Sequence, residues 1–260
     1  MNVPAYFRHT LIACGFLSRL PIPATIHENH DSDMARIAGT FAPAGLIVAL
    51  PAALLLFLLL AAGADPLMAA LLALGVQALV TGALHEDGLA DCADGFGGGR
   101  DREHALTIMK DSRIGAYGTV ALILSFGLRA AAIAALARTL SPLAAAACLP
   151  AVAAMSRALM VAHWQALPSA RETGLAASLG RPDLSTAATA LAAGTVIAGI
   201  LVLAALSLPA LFLLLVVSAA SAFGLTRLAE RRIGGHTGDT IGATQQACEI
   251  AGLCALALAA

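Results

Sequence analysis

Seven apolar stretches, each close to the length that crosses a bilayer core, take up most of this chain: 42–62, 67–84, 115–137, 143–162, 186–206, 209–225 and 243–260. Only 12% of the residues are charged, 59% are hydrophobic, and the mean hydropathy is +0.85. An average soluble domain carries about 25% charged residues, so a soluble helical protein of this composition could not cover its surface. The pattern predicts an all-α fold: a polytopic membrane bundle of about seven transmembrane helices, forming one domain over residues 1–260. Alanine and glycine recur within the stretches, which suits helices that approach closely in lipid.

The basic residues give the bundle a direction. Arg8, Arg19 and Arg36 precede the first stretch; Arg100, Arg102, Lys110 and Arg113 lie between the second and third. Arg171 and Arg181 lie between the fourth and fifth, and Arg227, Arg231 and Arg232 between the sixth and seventh. With seven spans all these segments share one side, which the positive-inside rule assigns to the cytoplasm. The expectation is an inner-membrane protein with a cytoplasmic N-terminus and cytoplasmic active-site loops near 85–114 and 226–242. Arg129 and Arg157 fall inside spans, where a charge must face the bundle interior or snorkel; Arg157 is placed to reach the cavity beside the acidic loop. Residues 11–17 with Arg8 weakly imitate a signal peptide, but no small-x-small cleavage site follows, and they are read as mature chain.

Net charge is −1, which suggests no nucleic-acid partner. Cys14, Cys92, Cys148, Cys248 and Cys254 are odd in number and scattered, with no CxxC, so neither a disulfide framework nor a thiolate zinc site is indicated.

Negative charge concentrates in one place. Residues 86–99 read EDGLADCADGFGGG. If the helix continues past His85, then Asp87, Asp91 and Asp94 stand at i, i+4 and i+7 on one face. Like charges so stacked repel, and a divalent cation would relieve them; all-oxygen ligands favour Mg²⁺ or Mn²⁺. Glu86 is a further ligand or base. Gly95, Gly97, Gly98 and Gly99 are expected to end the helix and let backbone approach phosphate, with Arg100 and Arg102 following. The plain alternative is a solvated acidic loop.

Residues 109–118, MKDSRIGAYG, put Lys110, Asp111, Ser112 and Arg113 before the third span, as phosphate grips or as a basic anchor with a cap. Residues 231–246, RRIGGHTGDTIGATQQ, set His236, Thr237, Asp239 and Thr240 among glycines; Asp239 or Thr240 could equally cap the last span. The His-x-x-His of residues 27–31 is more simply a solvated loop. His163 and Trp164 sit where an aromatic belt is expected, and His104 should face solvent.

These parts fit chemistry at a phosphorus–oxygen bond. A metal polarises a phosphoanhydride, arginines neutralise its oxygens, and an aspartate, His85 or His236 serves a hydroxyl nucleophile as base. No Walker lysine motif, GxSxG or HExxH occurs.

The combination HEDGLADCADGFGGG, KDSRIGAYG and GGHTGDTIGATQQ resembles the cobalamin synthase family, as do FLSRLPIP at 16–23 and TFAPAGLIVAL at 40–50. The resemblance implies a bacterial or archaeal polytopic membrane enzyme that requires Mg²⁺. It would join adenosylcobinamide-GDP to α-ribazole or its 5′-phosphate, giving adenosylcobalamin or its 5′-phosphate and GMP. The residues' own chemistry, rather than the resemblance, makes Asp87, Asp91 and Asp94 the expected metal ligands and Glu86, Asp87, Asp239 and His236 the expected catalytic groups. Gly95, Gly97, Gly98, Arg100, Lys110, Arg113 and Thr237 are the expected substrate contacts. Membrane lipid is an implied partner, and a homo-oligomer is left open.

Two other readings compete. DCADGFGGGR at 91–100 partly matches the DxxDGxxAR of CDP-alcohol phosphotransferases, yet the AR pair and the later GxxxDxxxD half are missing. A cation-coupled transporter should carry carboxylates near mid-span, whereas these cluster at span ends.

Overall fold

A computed structural model describes residues 5–23, 26, 33–111 and 113–260; the His-x-x-His of 27–31 and Ser112 lie outside the described residues. The helices are α1 (Ala5–Leu17), α2 (Met34–Ile37), α3 (Phe41–Ala61), α4 (Pro66–Thr81), α5 (Leu84–Gly98) and α6 (Arg102–Ile108). They continue as α7 (Ala116–Thr139), α8 (Pro142–Ala166), α9 (Leu175–Ser178), α10 (Leu184–Ala205), α11 (Leu208–Ile233) and α12 (Gly238–Ala259). A 3₁₀ turn, Ala38–Thr40, joins α2 directly to α3.

Six helical stretches among the described residues are long and apolar enough to cross a bilayer: Met34–Ala61, Ala116–Thr139, Pro142–Ala166, Leu184–Ala205, Leu208–Ile233 and Gly238–Ala259. The seventh expected span is broken. α4 stops at Thr81 and α5 leaves at 92° to it. The cause is local: Gly82 and Ala83 both adopt left-handed backbone, with φ of 65° and 57°, which no right-handed helix can contain. The acidic residues therefore belong to a helix of their own.

α8 is the hub. Eighteen of its residues from Ala145 to Trp164 are buried, because α3, α10, α11 and α12 all pack around it. Small residues permit the approach: a side chain on Gly45 of α3 would lie 2.6 Å from the Ala153 carbonyl of α8. Large apolar side chains such as Leu54, Ile123, Ile200 and Phe212 point outward, as a lipid-facing surface requires.

Four charges lie inside. Arg129 of α7, fully buried, meets Glu86 of α5 at 3.3 Å and Glu249 of α12 at 3.0 Å, and Arg157 of α8 stands 3.9 Å from Glu249. Gln246 donates to Glu86, and Gln245 hydrogen-bonds Glu249. Both arginines face the interior, as charges in lipid must. Arg157 turns to Glu249 and its own Ala153 carbonyl rather than to a cavity beside the acidic helix. Carboxylates are thus not confined to span ends.

Three connections interlock at one end of the bundle. Arg102 donates to the carbonyls of Ile233 and Ala170, Arg171 to that of Leu106, and Arg232 to those of Phe96 and Gly99. The expected loop of 226–242 shrinks to residues 234–237, since α11 runs to Ile233 and α12 starts at Gly238; most of 85–114 is helix as well.

Candidate active site

A cavity of about 270 Å³ opens at this end, between α1, α3, α5, α8, the 169–179 connection and the start of α12. One wall is apolar and aromatic. Phe16 stacks on Phe41 at 6.0 Å, Phe41 meets Trp164 at 6.4 Å, and Trp164 meets His236 edge-on at 6.4 Å. The opposite rim is polar: Asp87, Asp239, Arg171 and Thr237.

The rim is held by short-range rules. Thr237 caps α12 by accepting from Thr240 N–H, and Thr240 returns the bond to Thr237 N–H at 2.9 Å, a capping box. The cap is Thr237 rather than Asp239 or Thr240, which leaves Asp239 at the first turn, where the helix dipole favours a carboxylate. Thr237 Oγ1 donates to Asp239 at 3.2 Å. His236 N–H donates to the Pro168 carbonyl and Ala170 N–H to the His236 carbonyl, both at 2.8 Å. This two-bond bridge sets Arg171 beside Asp239, 3.7 Å away. α5 can lie against α12 because residue 88 is glycine: a side chain there would sit 2.7 Å from the Asp239 carbonyl.

Asp87, Asp91 and Asp94 share the i, i+4, i+7 face of α5, as the spacing predicts. Their surroundings differ. Asp87 is exposed and Asp91 half-buried. Asp91 feels the negative charges of Asp87, Asp239 and Asp94, against one opposing cation, Arg171. Asp94 is buried and engaged: its oxygens accept from Gly115 N–H at 2.7 Å and Gly118 N–H at 2.9 Å, capping α7 from outside. Glu86, one step round the helix, belongs to the interior charges. Among the described residues no three His, Cys, Asp or Glu side chains stand close enough to enclose one ion.

The other expected contacts lie elsewhere. α5 continues through Gly95, Gly97 and Gly98 and is capped only by Gly99. Met109 occupies the space a side chain on Gly95 would need, and the Tyr117 ring that of Gly97; Gly98 faces Ile108. Gly95 and Gly97 thus serve close packing, whereas Gly98 is exposed. Arg100 pairs with Asp101 at the surface, and Arg113 grips Asp111 at 2.6 Å, holding that carboxyl below its usual range. Lys110 is exposed, and none of the three lines the cavity.

Sequence reasoning missed Arg171, which read only as a topology signal, and the aromatic wall. Trp164 is no belt residue: it is buried, and its indole N–H donates to the Gly180 carbonyl at 3.0 Å. His163 is buried too, between Thr226 and Thr240. His236 is buried at the cavity edge, and burial, with Arg181 nearby, pushes its imidazole down to about 4, so it is neutral at pH 7.

The model of the family described as "Cobalamin-5-phosphate synthase" matches residues 9–257. The chain belongs to the cobalamin-5-phosphate synthase family. Curated relatives agree. Proteins named adenosylcobinamide-GDP ribazoletransferase from Rhizobium etli (strain CIAT 652) and Rhizobium johnstonii are 54% and 51% identical over the full length of both chains. One of the same name from Brucella canis is 42% identical over 96% of each. No solved structure matches. The chain is therefore an enzyme, a multi-pass membrane transferase of cobalamin biosynthesis.

Proposed function

We propose that this cobalamin synthase joins adenosylcobinamide-GDP to α-ribazole or α-ribazole 5′-phosphate at the cavity rim, on the cytoplasmic face of a bacterial inner membrane. In that reaction a ribose hydroxyl oxygen forms a bond to the cobinamide-linked phosphorus, the bridging P–O bond to GMP breaks, and the hydroxyl proton is released. The observation that carries the reading is Asp87, Asp239 and Arg171 lining one cavity, with Asp91 one turn along α5 from Asp87, in a member of this family. The orientation rests on the interlocked connections, which carry Arg100, Arg102, Lys110, Arg113, Arg171, Arg181 and Arg232.

Mg²⁺ suits the donors present. Hard carboxylate oxygens are what it prefers, and it commonly keeps several waters, using one or two carboxylates plus substrate phosphates. Asp87 and Asp91, one turn apart on α5, would hold it together with substrate phosphate, and Asp239 would act from outside that pair. When bound, it would polarise the phosphoanhydride and neutralise the departing phosphate. Asp94 is left out of this pair because each of its oxygens already accepts a backbone N–H from the start of α7, although a carboxylate keeps further lone pairs.

The chain's own groups account for the rest. Arg171 points its guanidinium at the rim, where it can pair with a phosphate oxygen in exchange for its long contact to Asp239. Asp239, tethered by Thr237, can accept the hydroxyl proton. Leu84, Met160 and the aromatic wall give the cavity an apolar side.

Purified protein in liposomes is given adenosylcobinamide-GDP, α-ribazole 5′-phosphate and Mg²⁺, with an EDTA control. GMP and a cobalamin product, both lost with EDTA, are the expected result. No GMP from folded protein overturns the reading, and GMP that persists in EDTA overturns its metal.

A further inference from the structure

We infer that the cavity is the subsite of the acceptor nucleoside, with its flat, apolar fused-ring base among Phe16, Phe41 and Trp164 and its ribose toward Asp87, Asp239 and Arg171. This rests on the reading above. Size sorts the two substrates first. About 270 Å³ lies just under the usual range for small-ligand pockets, so it admits a nucleoside and excludes a corrinoid ring, which must stay outside the mouth.

Chemistry sorts the two nucleosides next. Guanine presents several hydrogen-bonding groups along its edge and needs polar partners inside. The apolar part of the lining, Phe16, Leu17, Phe41, Met160, Leu179 and Ile241, suits a base with few polar groups better, although His85 and His236 are also present there. The base of α-ribazole is an alkylated benzimidazole with no exocyclic donor and one free ring nitrogen. That demand is met by what the wall lacks a partner for. His85 and His236 both line the cavity, are 2% and 1% exposed, and each holds one ring nitrogen without a hydrogen-bond partner. Such orphans inside a built cavity call for a ligand atom. A neutral His236 can donate to the free ring nitrogen while the aromatic wall takes the faces of the base.

Trp164 is the only tryptophan in the chain, so its emission reports on this cavity alone. Wild-type protein in detergent is titrated with α-ribazole, without the second substrate and with correction for ligand absorbance, and separately with GMP. Saturable quenching by α-ribazole and little change with GMP is expected. Steady-state rates are then measured for Phe16→Ala and His236→Asn. The KM for α-ribazole should rise about tenfold in each, the size of one lost ring contact or hydrogen bond, while the KM for adenosylcobinamide-GDP stays within about twofold. Phe16 is half-buried at the edge of a core cluster, so the fold of its variant is checked by circular dichroism before the KM is read. Quenching by GMP instead, no quenching by α-ribazole, or a rise confined to the KM for adenosylcobinamide-GDP overturns the assignment even where GMP release is normal. Quenching by α-ribazole in a protein that releases no GMP sustains the subsite and overturns the proposed reaction.

Discussion

Glu86 and Asp87 adjoin in sequence and differ in everything else. Glu86 turns inward, where it and Glu249 face Arg129 and Arg157, two carboxylates against two guanidiniums, with Gln245 and Gln246 filling in. Asp87, about 100° further round α5, turns to the cavity, where it and Asp239 meet one arginine, Arg171, with Asp91 one turn along α5. The inner set is balanced because it is buried, and an unneutralised charge there costs several kcal/mol. The outer set can stay unbalanced because it borders an open cavity. Acidic density marks a place in the chain; the neighbours on each helix face decide whether a carboxylate holds the fold or is open to chemistry.

The largest effect should come from unbalancing the inner set. Arg129→Met leaves two buried carboxylates facing one distant arginine and should cost about 3–5 kcal/mol of stability. Unfolding in mixed micelles followed by circular dichroism reads this directly, and Arg129→Met with Glu249→Gln should recover much of the loss. A single variant as stable as wild type would mean the charges do not hold α5, α7 and α12 together.

Next comes the outer set. Asp87→Asn and Asp91→Asn should each lower GMP release on the order of 10²–10³-fold, with stability unchanged or raised, since like charges are being removed. Excess Mg²⁺ should restore part of the rate. Equal losses of stability and rate would place these residues with Glu86.

Asp94 tests where the boundary runs. An amide offers one acceptor oxygen to two N–H groups, so Asp94→Asn should strand Gly115 or Gly118 and cost about 1–3 kcal/mol in stability, with near-normal turnover at low temperature. Loss of turnover at full stability would move Asp94 into the metal set.

The division between these sets was only partly legible. The apolar lengths expose the bundle, and the 87, 91, 94 spacing exposes one face of α5. Neither says that the N-terminus of α7 takes Asp94, because that acceptor is met only in three dimensions. Gly82 hints at a break, but the left-handed Ala83 that completes the 92° bend carries no sequence signal. Glycines 95 and 97 read as a phosphate cradle; Met109 and Tyr117, distant in the chain, make them packing positions. Trp164 and Arg171 fit bland membrane rules so well, as belt and as topology charge, that nothing local pointed to the cavity.

The smallest effect concerns Thr237, which the sequence offered as a substrate contact and the structure uses as a cap. Thr237→Ala removes the acceptor of the capping box and should cost about 1 kcal/mol, within the usual 0.5–2 for a lost N-cap. Thr237→Ser keeps the hydroxyl and should be near wild type. The same hydroxyl donates to Asp239, so the alanine variant also frees that carboxylate at the rim. If Thr237 acts only through the cap and this tether, kcat falls a few-fold while both KM values hold. A rise in either KM at unchanged stability would instead put the hydroxyl on substrate, and extend the outer, chemically open set one residue into the capping box.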